Sequence, residues 1–573
     1  MAQQVQPRAP IRFDRHVDLL VAGAGAGGMS AALVASIEGM DVLLCEKSQQ
    51  VGGTASTSAG TLWIPGNTLS RDAGFSDDRE AAQLYLDALM GDTPQRVLRR
   101  AFLDKCDESI GYFTEKTDVQ LVPCGRNPDY VTRLPGAARE GRAVIPAAFD
   151  GRLLKKNFER VRPPIPEMMI FKGMMVSKAD VPHLLGRFKS WTSFVYASKL
   201  FLRYAADLFR YSRGTRLVMG NALVARLYCS LLKRNIALLF GASIEELIMD
   251  GSAVVGAVVA TEQGRLRIGA RRGVVLATGG FAHHAAMREE FMPSAGRPLS
   301  FASEMNTGDG VSIGRQIGAL VAKEHNETSA IWTPVSLTRR ADGTRGLFPH
   351  FGMDRAKPGI IAVNKSGRRF LNEAISYHDF VLEMFRTQSV TADQPCYLIC
   401  DREFIRKYGL GVIRPGSTDI DRYVTDGYLA SAETITGLAT VIGVNTGGLQ
   451  ATVHRFNGLA ETGIDVDFYK GETDFERFYG DPGKQPNPCL GGILAAPYYA
   501  LAIWPAETAC TVGLATDADA RVIDRNREPI TGLYACGNDM ASIMDGEDPG
   551  PGATLGPAMV FGYLAARAAV RQS

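Results

Sequence analysis

The chain has 573 residues, 46% hydrophobic and 22% charged, which supplies a large core over roughly two to four domains and excludes global disorder. Lysine and arginine total 63 against 61 aspartate and glutamate, and the resulting +2 gives no electrostatic footprint for nucleic acid. The nine cysteines are dispersed, with no C-x-x-C pair, which argues against a disulfide framework or a zinc site and fits a reducing compartment.

The first sixteen residues, MAQQVQPRAPIRFDRH, contain no apolar h-region. No run of about 18 uncharged apolar residues follows, so neither a secretory signal nor a spanning helix is expected. The expected location is cytoplasmic.

Residues 17–22 (VDLLVA) read as a short buried strand. Gly23-Ala24-Gly25-Ala26-Gly27-Gly28 follows, then MSAALVASIEGM, a helix of small residues, and residues 41–46 (DVLLCE), a second strand ending in an acid. Gly23 permits a tight turn, Gly25 lets a pyrophosphate approach the backbone, and Gly28 lets helix and strand pack closely. The helix N-terminus faces the phosphates, and Glu46 accepts from a ribose diol. A lone G-x-G-x-x-G is weak evidence. Two strands, a helix and a terminal acid around it make dinucleotide binding the expectation.

Gly52-Gly53-Thr54 and Ser58-Ala59-Gly60 come next, a second small-residue loop able to line a long dinucleotide. Residues 81–122 contain helical stretches. Residues 183–216 carry seven Lys or Arg and a single acid, Asp207, interleaved with aromatic residues including Phe188, Trp191, Phe194, Tyr196, Phe201, Tyr204 and Phe209. This stretch reads either as a helical pair with a solvated basic face or as a peripheral contact with an anionic membrane surface. Residues 236–280 read as consecutive strands with turns at Asp250-Gly251 and Gln263-Gly264, ending at Gly279-Gly280. Residues 297–489 mix helices and loops, and residues 489–505 are strand-like again. Thr531–Asn538 reads as a strand ending in a turn at Gly537-Asn538. The glycine-rich 549–557 then opens a helix whose positive end can stabilise charge on a reduced isoalloxazine.

The segments EKSQQVGGTASTSAGTLWIPGN, VVLATGGF, NKSGRRFLNE and GLYACGN…GPGATLGPAMVFGYLAAR resemble the fumarate-reductase-like flavoproteins, and within them the FAD-dependent 3-ketosteroid dehydrogenases, chiefly the Δ1-dehydrogenases. The resemblance implies an α/β fold: a discontinuous Rossmann-like FAD domain, 1–296 and 490–573, with an α+β catalytic domain, 297–489, inserted. It implies that FAD is bound by Gly23, Gly25, Ala26, Gly27, Gly28, Glu46, Lys47, Gly52, Gly53, Thr54, Ser58, Gly60, Gly279, Gly280, Gly537, Asn538, Ala553, Thr554 and Leu555, and that no metal is needed. A single dinucleotide fingerprint implies re-oxidation by a quinone or another carrier.

In that family a tyrosine soon after the GRRFLNE-type motif removes a proton α to the ketone, flavin N5 takes a hydride from the β carbon, and a second tyrosine assists. The matching residues are Tyr377 and, more loosely, Tyr130 of the Asp129-Tyr130 pair. The family holds the ketone oxygen with a tyrosine before the P-G-x-G turn and a glycine N–H at its end. The glycine is Gly552, but Asp548 stands where the tyrosine belongs. Asp548 is expected as a neutral hydrogen-bond donor, if burial raises its pKa, as a group binding a hydroxyl or a cation where the substrate is held differently, or as an exposed loop acid. Tyr498 and Tyr499 either line the pocket or pack in the core, and Arg368 with Glu373 is expected as a structural pair. The activity implied is desaturation of a hydrophobic, 3-ketosteroid-like ketone. The alternatives are an enoate or fumarate-type reductase and a flavoprotein without activity. The histidine and arginine with which fumarate reductases clamp a dicarboxylate are missing at residues 509–514 and 548–552.

Overall fold

The structure, a computed structural model, describes residues 11–171, 173–293, 298–322 and 328–572. Strand β1 (Arg15–Ala22) is apolar and buried along most of its length, as a central parallel strand must be. Helix α1 (Ala26–Ile37) follows, then β2 (Val42–Glu46). The helix starts inside the glycine run, three residues before the expected point, because Gly25 already serves as its N-cap. Strands β3 (Ala237–Phe240), β4 (Ser243–Asp250), β5 (Ala253–Thr261) and β6 (Gly264–Leu276) complete this first half. Their spatial order is β3-β2-β1-β6-β5-β4. The β3-β2-β1-β6 part is parallel, and β4, β5 and β6 form the antiparallel meander that the turns at Gly251 and Gln263 announced.

The middle of the chain builds a second sheet. Strands β7 (Ala330–Arg339), β8 (Arg345–Pro349) and β9 (Ile360–Val363) precede helix α2 (Tyr377–Arg386), which is followed by β10 (Cys396–Asp401) and β11 (Tyr498–Cys510). The order is β8-β7-β11-β10-β9, with all neighbours antiparallel. Phe380, Val381 and Met384 of α2 share a core with Trp332 and Val335 of β7. Strand β11 pairs with β7 and β10 of this sheet. Tyr499 packs in this core and Tyr498 against the neighbouring cluster.

The chain returns to the first sheet through β12 (Arg521–Ile523) and β13 (Pro529–Ala535), the latter parallel to β6. Helix α3 (Leu555–Arg571) then lies across α1. Small residues let the two helices touch: a Cβ on Gly562 would stand 2.5 Å from the Gly27 carbonyl oxygen. The carboxyl ends of β1, β2, β6 and β13 and the amino ends of α1 and α3 converge on one crevice, where open α/β sheets bind ligands.

Candidate functional site

The first wall of the crevice is the β1–α1 turn. Gly23 has φ +104°, and a Cβ there would lie 2.2 Å from the Ala277 carbonyl oxygen. A Cβ on Gly28 would strike the Gly23 oxygen at 1.9 Å, so this glycine sets helix–strand packing. A Cβ on Gly25 would meet nothing within 4 Å, and no side chain caps α1. The amino end of α1 therefore presents its N–H groups to open space beside Ala26 and Gly27. Glu46 is buried at the end of β2 and accepts from the N–H groups of Ala24 and Ser48, each at 2.8 Å. Each carboxylate oxygen keeps a lone pair for a ribose hydroxyl. Burial pushes its pKa up.

The second small-residue loop closes over this turn. The Gly52 N–H donates to the Ala24 carbonyl (2.8 Å), and Gly53 is open on its Cβ side. Gly60 lies against Met219 and Gly220, and the Ser58 hydroxyl donates to the Ala55 carbonyl while accepting from the Gly60 N–H. Thr54 Oγ1 accepts from Ser303 N–H (3.0 Å) and the Asn306 amide (3.2 Å), tying the loop to the residues that follow β6. Lys47 is turned to Thr307 and Asp309, at 2.5 and 3.0 Å, so its side chain fastens this junction.

The third wall comes from the other end of the chain. Asp539 is buried; its Oδ1 accepts from the Thr278 hydroxyl and the Gly280 N–H, and its Oδ2 from the Thr278 N–H. Those bonds hold Gly279 and Gly280, both at positive φ, beneath Asn538. Burial raises the Asp539 pKa to about 6. A pocket lies between Gly537, Asn538, Thr511, Ala553 and Thr554 at the start of α3, which also lacks a side-chain cap ahead of Leu555. Thr511 Oγ1 and Arg162 Nη1 are buried without a hydrogen-bond partner. Two uncapped helix ends, three glycines with open Cβ sides (Gly25, Gly53 and Gly537), a ribose-ready acid and two orphaned donors fit an extended dinucleotide.

Beyond this wall the segment 548–552 carries a polar and aromatic cluster. The Trp63 indole donates to Asp129 (2.9 Å), which is paired with Arg142, and the N–H of Tyr130 donates to the Pro549 carbonyl (3.0 Å). Asp129 thus holds the turn beside Tyr130. The Tyr130 hydroxyl donates to that of Tyr377 across 3.4 Å, with the ring centroids 5.5 Å apart. The Tyr377 hydroxyl hydrogen-bonds in turn to the carboxyl of Asp548. Asp548 is 6% exposed, its Oδ2 has no partner, and burial raises its pKa to about 7. Burial and the facing Asp548 charge push the Tyr377 phenol well above the ordinary tyrosine range. Gly552 has φ +93°, and its carbonyl accepts from the N–H of Trp63 (3.2 Å) and of Gly556 (3.0 Å). Phe351 stands 5.3 Å from Tyr377 and Phe475 5.1 Å from Tyr130, giving the cluster aromatic walls.

The FAD binding domain family model matches residues 18–555. The chain belongs to that family. This flavoprotein is 36% identical, over 97% of its own length and 94% of the relative's, to a 4-oxocyclohex-2-ene-1-carboxylate 5-dehydrogenase of Sinomonas cyclohexanicum. It is 31% identical, over 96% and 97% of the two chains, to a 3-oxosteroid 1-dehydrogenase of Mycolicibacterium smegmatis. Its fold matches the crystal structure of a 3-ketosteroid delta1-dehydrogenase from Sterolibacterium denitrificans in complex with 1,4-androstadiene-3,17-dione, with TM-score 0.89, 34% identity and coverage of 98% and 100%. FAD is its cofactor, and it is an FAD-dependent oxidoreductase.

Several residues of the flavoprotein stand where sequence reasoning did not put them. Glu373 pairs with Arg369 (2.9 Å) and not with Arg368, which is exposed. Arg369 also holds Asp465, and Lys470 approaches Glu373 at 3.2 Å, all of them buried. This network anchors the segment leading into Tyr377, and Ser376 caps α2 by accepting from the Asp379 N–H. His378 is buried on the opposite side, where Nδ1 accepts from the Trp332 N–H at 3.1 Å. Asp539, Thr511, Arg162, Phe351 and Phe475 were missed. Only Asp539 left a signal, as the acid directly after the Gly537-Asn538 turn. Among the described residues no group of three His, Cys, Asp or Glu could hold a metal ion.

Proposed function

We propose that the flavoprotein desaturates a hydrophobic cyclic ketone between the carbons α and β to its carbonyl. The observation that carries this reading is the Tyr130–Tyr377 hydroxyl pair facing the Asp548–Gly552 turn across aromatic walls. Tyr377 takes the α proton, Tyr130 supports the phenol oxygen as charge builds on it, and the Gly552 backbone holds the ketone oxygen. Bound FAD supplies the two-electron oxidation by accepting the β hydride. Relatives acting on an oxocyclohexene carboxylate and on oxosteroids support the ketone class and leave the ring system to experiment. FAD holds to the proposed set of cradle residues, Lys47 acting through the Asp309 junction. The domain plan we propose is a nucleotide unit of 1–296 and 511–573 around an inserted unit of 297–510.

Anaerobic mixing with a panel of 4-oxocyclohexanecarboxylate, a saturated 3-ketosteroid and succinate tests the reading. Bleaching of the flavin band by a ketone is expected. Bleaching by succinate alone, or re-oxidation of the reduced protein by fumarate but not by a quinone, would overturn it in favour of a dicarboxylate enzyme. The absence of a second nucleotide fingerprint supports a quinone or similar carrier as acceptor.

We also propose peripheral contact with an anionic membrane surface through residues 183–216, which suits a poorly soluble substrate. Among the described residues no helix is long and apolar enough to cross a membrane. The helix Trp191–Asp207 and its flanks expose Phe188, Trp191, Leu202 and Phe209 by 71–93%. Asp207, the one acid of the stretch, is buried and accepts from the N–H and hydroxyl of Thr215.

A further inference from the structure

Resting on the ketone desaturation above, we propose that Asp548 is the proton acceptor for Tyr377: as the phenol oxygen takes the hydrogen α to the ketone, the phenol's own proton passes to the Asp548 carboxylate. Three observations carry this. The Tyr377 hydroxyl, which accepts from Tyr130, is hydrogen-bonded to the Asp548 carboxyl. It is buried, with Oδ2 unpartnered, and among the described residues no ion pair holds it as a fixed anion. The turn that carries it is pinned: Tyr85 and Tyr130 both donate to the Pro549 carbonyl, at 2.7 and 3.0 Å, and Gly550 packs so tightly on Trp63 and Asp129 that a Cβ would lie within 3.0 Å of both.

The balance is simple. The α C–H bond breaks and an O–H bond forms on Tyr377. The Tyr377 O–H bond breaks and one forms on Asp548. The β C–H electron pair leaves with its hydrogen to FAD, so the ketone is oxidised by two electrons and FAD is the oxidant. The negative charge moves from Asp548 to the ketone oxygen in the same event. The carboxylate that would repel an enolate is therefore neutral by the time the enolate exists. A buried phenol raised far above neutral pH cannot ionise unaided, and this relay removes that need.

The groups facing Asp548 are Tyr377 and Asp379 of α2 and, on its own segment, Glu547 and the Gly550 N–H, with Tyr130 one bond further. Asp379 and Glu547 raise its pKa, and the Tyr377 and Gly550 bonds lower it. The ionised form is the working one, so kcat/KM should rise with pH through about 7.

The test compares wild type, D548N and D548E as FAD-loaded proteins on the ketone that bleaches wild-type flavin. D548N accepts a hydrogen bond but no proton. It should lower kcat/KM by about 100-fold or more and lose the ascending limb, with flavin content and melting temperature near wild type. It should also lose exchange of the ketone's α hydrogens in D₂O, followed by NMR. D548E should keep the limb. Wild-type rates in D548N, or a limb unchanged in it, would overturn the relay and favour a neutral donor to the ketone. If D548N fails to load FAD, D548E decides: activity without the limb overturns the relay. No bleaching of wild type by any ketone would sink the ketone reading itself, a separate outcome.

Discussion

The hydroxyl of Tyr130 donates to the hydroxyl of Tyr377 across 3.4 Å, joining the loop after Asp129 to the first residue of helix α2. The two rings meet edge to face, so each fixes the other. Tyr377→Phe should leave flavin content and melting temperature unchanged and lower kcat with the ketone by about 100- to 10,000-fold, the range for a general base. Tyr130→Phe removes only the supporting donor and should cost about tenfold, the worth of one hydrogen bond to a developing charge. Steady-state rates with a dye acceptor check both. Equal losses in the two variants would contradict the division of roles.

Gly25 and Gly28 should fail differently. Gly28→Ala drives a methyl into the Gly23 carbonyl and should lower the melting temperature even before cofactor is considered. Gly25→Ala meets no protein atom, so the apoprotein should melt like wild type while flavin content falls. Flavin absorbance per chain and calorimetry of apoprotein separate the two effects. A stable, fully yellow Gly25→Ala protein would show that no pyrophosphate lies against that turn.

Much of this was legible because glycine carries positional information. The Gly23–Gly28 run and the acid at 46 point to a nucleotide cradle in the sequence itself, since only a few turns demand glycines at that spacing. Tyr377 was reachable from the motif before it. The second sheet was not read. Strand β11 is apolar on both faces and cannot be assigned by periodicity to one sheet or the other; only its pairing with β7 and β10 settles the matter. Asp548 was visible as a departure, but its burial is set by Trp63, Tyr85 and Tyr130, which lie more than 400 residues away in sequence and come together only on folding.

The Arg369–Glu373–Lys470 network predicts acid sensitivity. Arg369 and Lys470 hold the buried Glu373 carboxyl down at about 2, below its unfolded value. The unfolded chain therefore binds the proton first. The stability contributed is complete above pH ~4.5 and is lost as pH falls toward ~2, an effect of order 3 kcal/mol. Glu373→Gln leaves the buried Lys470 without its carboxylate, while Arg369 keeps Asp465, and should destabilise by about 3–5 kcal/mol at neutral pH, while flattening the pH dependence in acid. Urea titrations at several pH values measure both. An unchanged acid slope in the variant would mean another carboxylate governs acid unfolding.

The basic aromatic stretch makes the last prediction. Beside the exposed Phe209, a cavity of about 420 Å³ is lined by Arg152, Lys155, Arg210, Asp207 and Tyr211, placing three cations next to apolar side chains. That pairing suits anionic headgroups above an acyl boundary. The flavoprotein should float with vesicles containing phosphatidylglycerol and stay behind with pure phosphatidylcholine, and 0.5 M salt should weaken the binding. Trp191→Ser with Phe209→Ser should abolish flotation while leaving flavin content and turnover of a water-soluble ketone intact, because neither side chain lies in the Tyr130–Tyr377 cluster. Flotation that survives the double variant would move the contact elsewhere on the surface. Loss of turnover along with it would tie the helix Trp191–Asp207 to the active site.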